Sequence, residues 1–247
     1  MDGTAGTEEH AVTPPGIVLE DVCFDYEDMQ MRFSAVVPAG AFLGVIGPSG
    51  AGKSSLLNLI AGFEVPLSGR ILMEGVDYTG APPQDRPVTM LFQENNLFFH
   101  LDVFTNVALG IAPSLKLSED DRAGLAAALA RVGLSGMERR LPRELSGGER
   151  QRAAIARALV RRRPILLLDE PFAALGPALR HDMLQLVRDL RDERRLTVVF
   201  VTHNPGDAER AATHTAFIEG GRIVALRPTA EFFAARDLPG LAAYLGE

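Results

Sequence analysis

The sequence predicts an α/β fold built on a parallel sheet, with a helical subdomain inserted into it. Three features predict this. A short, wholly apolar run at residues 165–168 and a second strand-like run at 196–201 suit strands buried in the middle of a parallel sheet. Helix-period segments follow strand-like runs in both halves of the chain. Between about residues 102 and 161 the strand signal fades and capped helix starts replace it.

Taken in order, residues 1–15 are polar, carry Pro14-Pro15 and are expected to form a flexible tail. Residues 16–247 read as one domain. Strand-like runs follow at 17–23, 31–37 and 41–46, with Pro38-Ala39-Gly40 as the turn between the last two. A helix is expected after Gly52, carrying Leu56, Leu57, Leu59 and Ile60, and further strands at 70–73 and 88–92. Ser118-Glu119-Asp120-Asp121 resembles a capping box and opens an alanine-rich helix that ends near Gly133. Ser146-Gly147-Gly148-Glu149 opens another, with Ile155, Ala158 and Leu159 on one face, and it stops before Pro164. These helices place the inserted subdomain at about residues 94–161. After the strand at 165–168 come a helix over about 177–194, a strand at 196–201 and a helical stretch at 204–212. Runs at 216–219 and 222–226 flank Gly220-Gly221, a hairpin signal.

Composition narrows the function. A chain of 247 residues, 47% apolar and 23% charged, can bury a sizeable core and is not a disordered polymer. With 25 basic and 32 acidic residues the net charge is −7, which argues against nucleic acid as a partner. The single cysteine, Cys23, excludes an internal disulfide or a cysteine-built metal site. No run approaches the ~18 apolar residues of a membrane span. The first ten residues lack the basic flank and apolar stretch of a secretory signal, so a soluble cytosolic chain is expected. Only Lys53 and Lys116 are lysines, which draws attention to both.

Gly47-Pro48-Ser49-Gly50-Ala51-Gly52-Lys53-Ser54 fits G-x-x-x-x-G-K-[ST], between an apolar strand and a helix. Such a loop turns successive backbone N–H groups toward a phosphate, and the following helix start adds partial positive charge. Lys53 is expected to reach the β and γ phosphates, and the Ser54 hydroxyl to ligate Mg²⁺. Asp169 and Glu170 end the apolar run at 165–168, where ligands sit in open α/β sheets. Asp169 is placed to hold Mg²⁺ through its water shell, and Glu170 to polarise an attacking water as general base. Leu145-Ser146-Gly147-Gly148-Glu149 offers a second anion nest at a helix start, although Ser-x-x-Glu is also a simple capping box. One triphosphate does not need two nests, whereas two chains facing head to tail do.

With these motifs in hand, residues 17–226 resemble the ATP-binding cassette (ABC) ATPases. The resemblance rests on the phosphate loop, on the 145–149 signature and on the 165–170 segment. It also rests on Gln93 and His203, each after a strand, and on Tyr26 ahead of the phosphate loop. It implies a P-loop NTPase with a parallel core sheet, an N-terminal antiparallel β subdomain and an inserted helical subdomain. It further implies ATP and Mg²⁺ as cofactors, with nucleotide contacts from Tyr26, from Gly47 through Ser55 (Ser55 included), and from Ser146, Gly147, Gly148 and Glu149. Metal contacts would come from Ser54, Gln93 and Asp169. Glu170, His203 and Gln93 would be the catalytic set, His203 reaching the γ-phosphate. Two ATPs would be sandwiched in a homodimer, and hydrolysis would open it.

One loop departs from the family pattern. Where Ser-Ala-Leu-Asp is usual, this chain has Ala173-Ala174-Leu175-Gly176, which removes the side chains expected to link the two active sites. Gly176 is also expected to loosen the loop. Weaker coupling and a tolerated variant both stay open, and Glu170 favours hydrolysis.

The resemblance to importer ATPases implies two separate transmembrane permease subunits, docking near Gln93, Leu97, Phe98 and Phe99, and a periplasmic solute-binding protein acting indirectly. It places the chain peripherally on the cytoplasmic side of the bacterial inner membrane. At least one of the two phenylalanines is expected in the small subdomain's core. Residues 86–98, 31–34, 56–63 and Pro82-Pro83 are similar to the ATPase subunits of bacterial thiamine importers. Another small solute, or an ATP-dependent binding module with weak hydrolysis, remains an alternative. DNA-repair ABC ATPases need a long coiled coil between the two nests, for which the chain has no room. Translation-type ABC proteins need two cassettes.

Overall fold

The computed structural model describes residues 14–92, 97–235 and 239–245. The expected N-terminal tail therefore lies outside the described residues except for Pro14 and Pro15. Strands β1 (Ile17–Tyr26) and β2 (Met29–Val37) form an antiparallel hairpin, and β1 also pairs with β4 (Ser68–Met73). The apolar positions Ile17, Leu19, Val22 and Phe24 slip by one residue, and the pairing register slips with them between Leu19 and Val22. Asp21 takes the extra residue of this bulge at φ 47°. Gly69 of β4 sits against it, where a Cβ would lie 2.3 Å from the Asp21 carbonyl oxygen. The two-residue β5 (Val76–Asp77) closes this side.

The second half of the sheet is parallel. β3 (Phe42–Ile46) runs between β8 (Thr197–Val201) and β9 (His214–Glu219), and β7 (Ile165–Asp169) and β6 (Val88–Leu91) follow beyond β8. β10 (Arg222–Pro228) pairs antiparallel with β9 and meets β2 through the single pair Arg222–Arg32. The sheet order is β5-β4-β1-β2-β10-β9-β3-β8-β7-β6.

Alternation along the central strands splits the core. Leu43, Val45, Ile165, Leu167, Val199 and Val201 pack with Leu56, Leu57, Leu59 and Ile60 of α1 (Lys53–Ala61). Phe42, Leu166, Leu168, Val198 and Phe200 pack with α4 (Gly147–Val160) and α5 (Pro177–Arg194). α2 (Val103–Ala108) and α3 (Glu119–Arg131) extend that second cluster. Helices α1 and α4 thus lie on opposite faces of the sheet. α6 (Pro205–Ala211), α7 (Thr229–Ala234) and α8 (Pro239–Leu245) gather around Ile46 and Phe217 in a third, smaller cluster.

Among the described residues Arg86 is the largest polar side chain in the interior, 1% exposed and without a carboxylate partner. Its guanidinium donates to the Leu59 and Ile60 carbonyls at 2.7 and 3.0 Å, and to Ala81 and Thr79 carbonyls. The first two belong to the last turn of α1, where the helix leaves carbonyls unsatisfied and negative in partial charge. Burial lowers the Arg86 pKa, but these oxygens hold the cation in place. Arg86→Met should lower stability by about 3 kcal/mol, because several buried carbonyls lose a charged donor at once. Denaturant unfolding measures it; an unchanged midpoint would mean that water replaces the guanidinium.

Candidate functional site

β3 delivers the chain to Gly47 at the carboxyl end of the sheet, and α1 carries it away from Lys53. Gly47 has φ 152°, and a Cβ there would lie 2.1 Å from the Ile218 carbonyl oxygen. No other residue fits this close passage of two backbones. Pro48, Ser49 and Gly50 form the exposed tip of the loop, and Ala51 and Gly52 are buried. The Ala51 N–H returns to the Pro48 carbonyl at 3.3 Å. Gly52 caps α1 in a left-handed conformation with no side-chain cap, and the first turn has no acidic residue. The free N–H groups of that turn therefore face outward with uncompensated positive partial charge.

Lys53 is buried, and its ammonium donates to the Gly47 and Pro48 carbonyls at 2.9 and 2.8 Å. Burial lowers its pKa, and the Glu170 and Asp169 carboxylates raise it. The Ser54 hydroxyl donates to Asp169 Oδ1 at 3.2 Å across the gap between α1 and β7. Burial raises the Asp169 pKa; the Ser54 hydrogen bond opposes this, the Glu170 charge adds to it, and Lys53 lowers it. Ser55 is half-buried in the same turn of α1. A hydroxyl and a carboxylate oxygen side by side are the hard donors that Mg²⁺ takes, so the residues fit the metal.

Glu170 follows directly at φ 46°, a left-handed conformation unusual for a branched-free side chain outside glycine and asparagine, and its N–H donates to the Val201 carbonyl at 3.1 Å. That turn aims its carboxylate at His203, whose Nδ1 lies 3.0 Å from Glu170 Oε2. β7 and β8 are neighbours, and their parallel register brings the two loop residues together.

Tyr26 ends β1 with its ring 52% exposed. It lies two residues beyond Phe24, which pairs with Met31. Met31 in turn abuts Gly52, where a Cβ would meet its sulfur at 2.9 Å. An exposed aromatic ring thus stands at the hairpin end nearest the phosphate loop.

The second nest is built differently. Ser146 caps α4 by accepting from the Glu149 N–H at 3.3 Å, while the Glu149 carboxylate accepts from the Ser146 N–H at 2.6 Å. The Ser146 backbone amide holds the Glu149 carboxyl below its ordinary pKa. Within the chain the capping-box reading of this segment is the one realised. Gly148 is pressed on Leu179 of α5, where a Cβ would lie 2.7 Å from a methyl group, and Gly147 is half-buried at the helix start. Since α4 and α1 occupy opposite sheet faces, one nucleotide on the α1 nest does not reach the α4 nest of the same chain.

Three expectations need correction. Leu97 was expected on the docking surface with Phe98 and Phe99; it is 6% exposed and belongs to the core with Val103 and Val107. The two phenylalanines, one of them expected inside, are 48% and 64% exposed. The reason is Asn106, a fully buried residue of α2 that sequence reading did not single out. Its side chain accepts from the Phe98 N–H at 2.8 Å and donates to the Phe98, Leu101 and Asp102 carbonyls. This clamp fixes the loop so that Leu97 points in. Gln93 lies outside the described residues, with Glu94, Asn95 and Asn96. Gly176, expected to loosen its loop, has an ordinary extended conformation, φ −63° and ψ 160°, as the N-cap of α5. Arg180 holds that loop by donating to the Ala173 and Leu175 carbonyls at 3.3 and 3.1 Å, and it lies 3.7 Å from Asp207 of α6.

A family model described as ABC transporter matches residues 31–173. The chain is 56% identical over 232 residues to a thiamine import ATP-binding protein of Chelativorans sp. (strain BNC1), covering 94% of each chain. It is 55% identical to that of Brucella suis biovar 1 (strain 1330), covering 94% of this chain and 96% of the relative. It is 48% identical to that of Rhizobium meliloti (strain 1021), covering 93% and 97%. Among solved structures, the ADP conformation of an ATP-binding cassette of an ABC transporter superposes with a TM-score of 0.86 at 26% identity, covering 95% of this chain and 100% of that one. A nucleotide-free cassette superposes with a TM-score of 0.84 at 24% identity, covering 94% and 98%.

Proposed function

This chain belongs to the ABC transporter family as an ATP-binding ATPase subunit, and from that premise we propose that it energises thiamine uptake through separate permease subunits. The convergence of Lys53, Ser54, Asp169, Glu170 and His203 at one end of the parallel sheet carries the mechanistic part of the reading. The names of relatives about half identical over nearly the whole chain support the solute.

In this reading residues 16–247 are one ATPase domain with a helical subdomain at about 94–161. Tyr26 stacks on the adenine. The N–H groups from Gly47 to Ser55 and the Lys53 ammonium bind the phosphates. Ser54 and Asp169, with Gln93, would hold Mg²⁺, which neutralises phosphate charge when bound. Glu170 takes a proton from the attacking water, and His203 steadies the transferring phosphoryl group. Lys53 already lies among electronegative carbonyl oxygens, so exchanging them for phosphate oxygens needs little reorganisation. The nest at Ser146, Gly147, Gly148 and Glu149 serves the nucleotide of a second copy. Its position on the face opposite α1 supports a head-to-tail homodimer with two ATPs.

The surface at Phe98 and Phe99 receives the permease. Large exposed rings beside a rigid clamp favour such a contact. No helix among the described residues is long and apolar enough to cross a membrane. In this reading the subunit acts peripherally, on the cytoplasmic side of the inner membrane. A periplasmic solute-binding protein would act on the permeases. Replacing Phe98 and Phe99 together by Ser should leave ATP binding within about twofold and lower both permease co-purification and labelled-thiamine uptake at least about tenfold, as loss of a hot spot does. Intact coupling in the double variant removes this surface from the reading. Uptake of a different solute, with hydrolysis intact, removes thiamine.

A further inference from the structure

The C-terminal helix α8 reaches into the nucleotide end of the sheet. Its Leu241 is buried with Ile46, Ala208, Phe217 and Phe232, so it covers the residue that precedes Gly47 and the helix that follows His203. Gly240 runs against Glu219 of β9, where a Cβ would lie 2.6 Å from a carboxylate oxygen. The Tyr244 ring rests on Phe217, with centroids 5.6 Å apart and planes at 45°. From there its hydroxyl donates to the His203 backbone carbonyl at 3.3 Å. Burial pushes the phenol pKa up, the Gly47 backbone opposes the rise, and the Glu170 charge adds to it. The hydroxyl therefore holds the backbone of the His203 loop, while Leu241 of the same helix covers Ile46, the residue before the phosphate nest.

We propose that Tyr244 is a positioning residue for hydrolysis: its hydroxyl ties the His203 backbone to α8, which packs on Ile46 and Phe217, and so fixes the imidazole against Glu170. The proposal rests on the reading of His203 and Glu170 given above. The geometry separates two roles within one side chain. The ring packs on Phe217 and anchors α8, while the hydroxyl alone makes the polar contacts. The His203 imidazole is 55% exposed and, among the described residues, has only the Glu170 carboxylate as its side-chain partner, so its placement depends on how firmly its backbone is held. A small displacement of a catalytic group is costly in rate while leaving substrate binding untouched.

Tyr244→Phe keeps the ring and removes the hydroxyl. In the full chain it should lower kcat for ATP about fivefold, the worth of one hydrogen bond, with KM within about twofold and the thermal midpoint unchanged. Added to His203→Ala, it should lower the residual rate no further. Wild-type kcat in Tyr244→Phe beside an impaired His203→Ala overturns the role of Tyr244. A joint change in KM and thermal midpoint also overturns it, because the hydroxyl would then be structural. Wild-type kcat in His203→Ala instead overturns the reading on which the proposal stands.

Discussion

Replacing Glu170 by Gln should lower the steady-state rate of ATP hydrolysis by about 10²- to 10⁴-fold, the usual worth of a general base, while ATP still binds. The substitution is close to isosteric. The backbone of residue 170 stays in its left-handed turn, since that turn is held by the N–H bond to the Val201 carbonyl and not by the side chain. The amide can still lie against His203 Nδ1, at the distance the carboxylate now occupies. It has no basic site for the proton of an attacking water. Binding and turnover should therefore separate, which they do not do when a phosphate contact is lost. In the proposed head-to-tail sandwich, uncleaved ATP holds both nests together, so Mg-ATP should drive the variant to a dimer in size-exclusion chromatography. Phosphate release measures the rate. Turnover at the wild-type level would place the base elsewhere; a slow enzyme that stays monomeric with bound ATP would count against the sandwich.

The parallel strands were legible in sequence because their burial on both faces leaves continuous apolar runs, as at Ile165 to Leu168. α5 was legible at both ends, with Pro177 at its first turn and Arg194 in its last. The elements that sequence reading left out are short: two residues for β5, six for α2 and α7 and seven for α8. None spans enough turns or alternations to show a period. The bulge at Asp21 was hidden because each half of β1 alternates correctly by itself. In the site, Lys53 and Ser54 stand inside a motif whose chemistry is written in local order. The inward turn of Leu97 depends on Asn106, and that contact is tertiary. Arg86 carries no signal in sequence, because an arginine bound only by carbonyls has no partner residue type to search for. Tyr244 is equally silent: a lone tyrosine in a short terminal helix acquires meaning only when α8 packs on Ile46 and Phe217.

Lys53→Ala should weaken ATP binding at least about 100-fold, the loss of a close charge-assisted contact to phosphate. Two effects act in the same direction. The first is electrostatic: among the described residues the Lys53 ammonium is the cation that acts on Asp169, and without it two carboxylates and a triphosphate share one end of the sheet. The second is structural, since Lys53 also donates to the Gly47 and Pro48 carbonyls and so helps hold the curl of the loop. Lys53→Arg separates them. It keeps the positive charge, but a planar guanidinium does not fit the buried place of a compact ammonium. If charge dominates, the arginine variant should recover most of the affinity lost by alanine; if loop geometry dominates, both should bind weakly. Titration with a fluorescent ATP analogue, with far-ultraviolet circular dichroism as the folding control, gives both numbers. Undiminished affinity in a folded Lys53→Ala variant would take the phosphate site away from Gly47 to Ser54, and with it the placement of every other catalytic residue proposed here.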